Sequence, residues 1–232
     1  MPFDAFSELF WRHHGSGIIR PANKYVGDLW DLFAPDYRRR LPEYYRQQEL
    51  QLTMSFLAYS ADPDHLERNY FEPYRIMRRR FPRAAVLEIG PGIPHGFLAN
   101  LRTDGPAWCD WLTVVEVDSL YVRFIRWICG RNGVRFAHIP ADAAKAPTIP
   151  SPTRFQFIYA KDVFEHLDDP AITINEILRV AAPEAILALD LYDRSKVEYQ
   201  HITVALSHHA GTILAAGFQK TGDSGNMTMF TR

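Results

Sequence analysis

Three stretches of the chain carry residues whose types and spacing could do chemistry. The first is Val86-Leu87-Glu88-Ile89-Gly90-Pro91-Gly92-Ile93-Pro94-His95-Gly96, an apolar run that stops at a glycine turn. Gly90 and Gly92 let the backbone turn tightly and let a ligand approach without a Cβ in the way. The second stretch places Glu116 and Val117 at the end of another apolar run, Leu112 to Val117, and Asp142 just beyond a third, Phe136 to Ile139. A carboxylate at Glu116 can accept both hydroxyls of a ribose, and one at Asp142 can accept an exocyclic amine of adenine. Each acid alone could be no more than a wet strand end. Polar groups at the ends of three successive strands together point to a nucleoside-bearing ligand. Glu88 refines that ligand, because an acid at the turn repels phosphates but suits an ammonium group and a sulfonium centre. A pyrophosphate-bearing dinucleotide would favour G-x-G-x-x-G, and the turn here is E-x-G-x-G. The third stretch is Lys161-Asp162-Val163-Phe164-Glu165-His166, with an acid and an imidazole four residues apart.

These residues need a scaffold that brings strand ends together. Ala84 to Ile89, Leu112 to Val117, Phe136 to Ile139, Phe155 to Ala160 and Ala185 to Leu189 are short apolar runs that read as buried strands. Helical patterns fill the gaps: Val122, Ile125 and Cys129 share a face that Gly130 or Gly133 can end, and Asp169-Pro170 opens a helix carrying Ile174, Ile177 and Leu178. Asp118 is expected to cap the first of these helices. Alternating strands and helices, with strands apolar nearly throughout, imply an α/β fold with a parallel sheet covered on both faces. The tail differs. A helix over 206–216 leads to two strands around the turn cluster Gly222 to Asn226, expected to form a hairpin. His208 and His209, in that helix, are expected to face solvent.

Before residue 84 the texture is different. About half of the aromatic residues lie there, and the apolar spacing is helical. Asp62-Pro63 begins a helix with Leu66, Tyr70, Tyr74 and Met77 on one face, which Pro73 should kink or interrupt. This predicts a helical cap over 1–83 and a sheet domain over 84–232. The Arg triplets at 38–40 and 78–80 sit near helix ends, where they complement the dipole.

Composition limits the function classes. The chain has 232 residues, 47% hydrophobic and 23% charged, which excludes disorder. Two cysteines exclude a disulfide framework, and no His, Cys or acid spacing suggests a metal. A net charge of -1 argues against a nucleic-acid partner. No apolar run reaches the ~18 residues of a membrane helix, and the N-terminal stretch lacks the pattern of a secretory signal, so the cytoplasm is the expected location.

On these motifs the stretch from 84 to 232 resembles a class I S-adenosylmethionine-dependent methyltransferase, of the branch acting on small molecules. VLEIGPGIPHG resembles the family's first motif, VVEVDS its acidic second-strand motif, PADA its adenine-contacting segment and FQFIYAKDVFEHLDDP its fourth-strand motif. The resemblance implies a doubly wound Rossmann-like sheet of seven strands, mostly parallel with the last antiparallel. It implies S-adenosyl-L-methionine as cofactor and S-adenosyl-L-homocysteine as product. Glu88, Gly90 and Gly92 would hold the amino-acid end, with His95 near its carboxylate. Glu116 and Val117 would bind the ribose, Asp142 with Ala143 would flank the adenine, and Lys161 and Asp162 would face cofactor and acceptor. Two departures stand out. Pro94 replaces a third glycine, with Gly96 two residues late, and Ala182-Pro183-Glu184 replaces Pro-Gly-Gly as the turn before the fifth strand.

Methyl transfer from a sulfonium is an in-line displacement with a good leaving group, so approach geometry and desolvation dominate. A base is needed only for a protonated acceptor. His166 is the candidate, and its spacing from Asp162 would place both on one face of a short helix; the alternative is that His166 packs beside the site. The N-terminal segment would shape the acceptor pocket, with Tyr25 as a lid residue. A small-molecule acceptor leads. An RNA or protein acceptor, a non-catalytic cofactor-binding subunit and an NAD-dependent oxidoreductase are the competing functions, and a homodimer is compatible with all of them.

Overall fold

The computed structural model describes residues 63–142, 147–150, 154–193 and 205–232, together with Ser7. Its centre is a seven-stranded sheet in the order β3-β2-β1-β4-β5-β7-β6. The strands are β1 (Ala84–Ile89), β2 (Cys109–Glu116), β3 (Arg135–Pro140), β4 (Phe155–Ala160), β5 (Ala181–Asp190), β6 (Gln219–Ser224) and β7 (Met227–Thr231). The first five pair in parallel, while β7 runs antiparallel to both β5 and β6. This is the expected doubly wound α/β architecture. Strand order reverses between β1 and β4, which opens a crevice at their carboxyl ends.

Every residue of β1 is buried, because helices cover both faces. Side chains alternate between two cores, following the two-residue period of a strand. Ala84 and Val86 join the core beneath α1 (Pro63–Leu66), α2 (Glu72–Arg80), α3 (His95–Asp104) and α4 (Leu120–Arg131). Ala85, Leu87 and Ile89 join the core beneath α5 (Pro170–Val180) and α6 (His209–Ala215). Glu88 therefore faces the N-terminal helices. Those helices are part of the core: Leu66, Tyr74 and Met77 are at most 1% exposed, and each contributes roughly 1.5–3 kcal/mol by burial.

The expected interruption at Pro73 appears one turn earlier. Pro73 opens α2, and Glu67–Phe71 between α1 and α2 form a π-helical turn. A proline cannot donate to the carbonyl four residues back. Here that carbonyl, on Asn69, accepts the Tyr159 hydroxyl at 2.8 Å.

Three local expectations need correction. Ser119, not Asp118, is the N-cap of α4, and Asp118 is exposed. Ala182-Pro183-Glu184 is no turn before β5 but part of that strand; the register slips between Phe155 and Phe157, so Pro183 lies where no ladder bond is required of it. His209 is 7% exposed at the start of α6, and burial lowers its pKa. The Asp169 cap is as expected, accepting from Ala171 N at 3.0 Å.

Candidate functional site

The crevice between β1 and β4 is built around Glu88. The β1 register holds its side chain against α2, where the Tyr74 hydroxyl donates to Oε1. Oε2 is buried and meets no hydrogen-bond partner among the described residues. Glu88 is 1% exposed, and burial pushes its pKa up to about 8 against the smaller opposing effect of the Tyr74 hydrogen bond. Immediately beyond, the chain turns through Gly90 and Gly92, with φ of +56° and +50°. Gly90 N donates to Val115 O at 2.8 Å, which ties the turn to β2. A Cβ on Gly90 would lie 2.6 Å from Val163 Cγ2, whereas one on Gly92 would meet nothing within 4 Å. The second glycine thus leaves open space beside the turn.

Glu116 organises the neighbouring strand end. Gly92 N donates to its Oε2 and Val117 N to its Oε1, each at 2.8 Å. One hydrogen bond per oxygen leaves each with further accepting capacity. Glu116 is 6% exposed; burial raises its pKa to about 7, opposed by those two backbone donors. The Glu116 carbonyl accepts Ala141 N at 2.9 Å, which fastens the loop carrying Asp142 beside it. Asp142 itself is exposed. The structure thus places Glu88, Gly90, Gly92, Glu116, Val117 and Asp142 at the carboxyl ends of β1, β2 and β3.

At the end of β4, the Lys161 ammonium pairs with the Asp162 carboxylate, and the Lys161 side chain is 3% exposed. Asp162 has φ of +52°, the only positive φ outside glycine among the described residues. A left-handed residue costs roughly 1–2 kcal/mol, least for Asp and Asn. This bend overturns the expected shared helix. Asp162 precedes a three-residue 3-10 turn, Phe164–His166, so it and His166 do not occupy one helical face. His166 is half-buried, and its backbone N donates to Val163 O at 3.0 Å.

His95 opens α3 as expected and is 4% exposed, its ring 5.0 Å from that of Tyr70 in an edge contact. Gly96 has a different job from a ligand-facing glycine. A Cβ there would lie 2.5 Å from Tyr74 Cδ2 and 2.6 Å from Tyr70 O, so its absence admits the N-terminal helices. Tyr25 and Ala143 lie outside the described residues. Sequence reasoning missed Tyr74 as the partner of Glu88 and Asp190, buried at the end of β5. Four-residue spacing of Tyr70 and Tyr74 was the available signal, but nothing local says which strand they meet. The Arg78–Arg80 triplet ends α2, with Arg78 on Asp104 at 2.6 Å and Arg80 donating to Arg232 O at 2.7 Å. Among the described residues, no group of His, Cys, Asp or Glu is placed to hold a metal, and no helix is long and apolar enough to cross a membrane.

No curated protein matches the sequence. Among solved structures, a SAM dependent methyltransferase from Aquifex aeolicus is 21% identical, covering 73% of this chain and 92% of its own at a TM-score of 0.49. The [4+2]-cyclase SpnF is 19% identical, covering 89% of this chain and 76% of its own at a TM-score of 0.50. At such identities the likeness concerns the fold alone, and a cyclase among the matches shows that the fold does not fix the reaction. The family described as a methyltransferase domain matches residues 37–215, well over half of the chain, beginning ahead of the helices that pack on Glu88. This chain, with its doubly wound, Rossmann-like sheet, therefore belongs to the methyltransferase domain family.

Proposed function

We propose that the protein binds S-adenosyl-L-methionine in the crevice between β1 and β4 and transfers its methyl group to a small-molecule acceptor. The observation that carries this reading is Glu88, a buried carboxyl at the crevice with one oxygen that no described group satisfies. Leaving such an atom unpaired costs about 1–3 kcal/mol. An ammonium group is the ligand chemistry that removes this cost. Glu116 supports the same ligand, since each of its oxygens retains capacity for a ribose hydroxyl. Asp142 and Ala143 follow as the adenine side, and Val117 as the ribose side.

When bound, the cofactor supplies a methyl group on a positively charged sulfur. The protein's own work is to orient and exclude water. Gly90 and Gly92 keep the backbone clear of the ligand, and Lys161 with Asp162 lines the β4 side. His166 takes a proton where the acceptor carries one. Residues 1–83, including Tyr25, contribute the acceptor side. A near-zero net charge favours a small acceptor over RNA. The test is calorimetric titration with S-adenosyl-L-homocysteine, followed by a mass-spectrometric screen for methylated products. Saturable binding and a mass gain of one methylene on a small acceptor are expected. Absence of binding overturns the cofactor assignment, and methylation confined to RNA or protein overturns the acceptor class.

A further inference from the structure

Charge is unevenly distributed along this chain. From Ser119 to Pro140, which spans α4 and β3, the sequence has four arginines and neither aspartate nor glutamate. Arg123, Arg126, Arg131 and Arg135 are all exposed. Several arginines elsewhere are neutralised: Arg75 pairs with Glu67 and Glu72, Arg78 with Asp104, Arg83 with Asp110 and Arg179 with Glu176. Among the described residues, no carboxylate pairs with Arg123, Arg126 or Arg135. The net charge of -1 averages over the chain and hides this concentration.

Three of these guanidinium groups lie over half-buried rings. Arg126 is 5.8 Å from the Phe136 centroid, Arg131 is 5.0 Å from Trp127 and Arg135 is 5.3 Å from Trp111. The Arg126–Phe136 contact joins α4 to β3, so helix and strand present one continuous surface. β3 is an edge strand, paired with β2 alone among the described residues. A charge on an edge strand guards against pairing with another sheet. That accounts for Arg135 but not for Arg123 and Arg126 on the helix.

We propose that this α4–β3 surface docks a single-stranded nucleic acid. The planar guanidinium matches phosphate oxygens, and rings flanked by arginine give bases a stacking face. An acidic peptide would match the charges but has no use for the rings. The large apolar side chains most exposed to solvent, Ile172, Tyr192 and Leu214, all lie elsewhere, so nothing on this surface is built to enter a membrane. The crevice lies between β1 and β4, away from this edge. Docking here is therefore independent of the methyl-transfer reading and of which acceptor is methylated.

The experiment is fluorescence anisotropy of the full chain with a labelled oligouridylate of about 20 nucleotides. Three phosphate contacts on a single strand predict binding that weakens about twentyfold between about 50 and 200 mM salt. Arg123→Gln, Arg126→Gln and Arg135→Gln together should weaken binding by about tenfold or more at the lower salt. Arg123→Glu alone should weaken it by about threefold, which guards against misfolding of the triple variant. Arg79→Gln, exposed on α2, should change it less than about twofold. No binding at the lower salt overturns the proposal, as does binding that Arg123→Glu and the triple variant leave unchanged, or that Arg79→Gln weakens equally. Tighter binding of phosphatidylserine vesicles or of polyglutamate than of the oligonucleotide also overturns it, and assigns the surface to that partner instead.

Discussion

Glu88 and Glu116 are both buried acids on adjacent parallel strands, yet they are held in opposite ways. Glu116 is satisfied by its own neighbourhood, through the backbone N–H of Val117 and of a glycine in the adjoining turn. Glu88 depends on a tyrosine from a helix that precedes the sheet, and its second oxygen meets no partner among the described residues. Glu116 is thus organised before any ligand arrives. Glu88 is left incomplete, and burial pushes it up to about 8 where Glu116 reaches only about 7. On the proposed reading, the difference separates a group that shapes the pocket from a group that reads the ligand's charge.

The most damaging break in this comparison is Glu116→Ala. It removes the acceptor for two backbone donors and both proposed ribose contacts, and should weaken S-adenosyl-L-homocysteine binding by about 1.5–3 kcal/mol. An unchanged dissociation constant would refute the ribose assignment. Next comes the turn between the two acids. Gly90→Ala combines a left-handed backbone with a collision against Val163, while Gly92→Ala meets only the backbone cost. Thermal unfolding should show a loss of roughly 2 kcal/mol or more for the first and about 1 kcal/mol for the second. Equal losses would mean that Val163 yields freely.

Tyr74→Phe sharpens the comparison from the other side. It removes the hydrogen bond that opposes Glu88's upward shift, so the pH at which the ligand binds well should move upward while Glu116's contribution stays put. A pH profile identical to that of the unsubstituted chain would show that the Tyr74–Glu88 contact has no electrostatic weight. The smallest effect is on stability without ligand. Both acids hold protons in the folded state that the unfolded chain releases above about pH 4.5, so stability should fall as pH rises from 5 to 8. Glu88→Gln should flatten the upper part of that slope, and melting temperatures across the range measure it.

The two acids also mark the limit of what sequence conveys. Glu116, the glycine turn, the five parallel strands and the terminal hairpin are written in short stretches, because strand alternation and turn chemistry are local. The contact between Tyr74 and Glu88 joins a helix to a strand across fourteen residues, and no periodicity selects that pairing. Gly96 looked like a displaced ligand-facing glycine, and its reason is the approach of Tyr70 and Tyr74. Asp162 and His166 have helical spacing, but a left-handed bend at Asp162 decides their geometry, and a spacing rule cannot see it. Pro183 suggested a turn because proline rarely enters a strand, and the register slip that accommodates it depends on β4.

The central claim is that Glu88 awaits a cationic ligand group at the crevice. The direct test is calorimetry of S-adenosyl-L-homocysteine binding to the full chain at pH 6, 7 and 8, in buffers of different ionisation enthalpy. Because the ligand's ammonium needs an ionised Glu88, one-to-one binding should tighten by about tenfold or more from pH 6 to 8, with protons released at the lower pH. Binding that is absent, or present with the same affinity and no proton release across that range, would contradict the account.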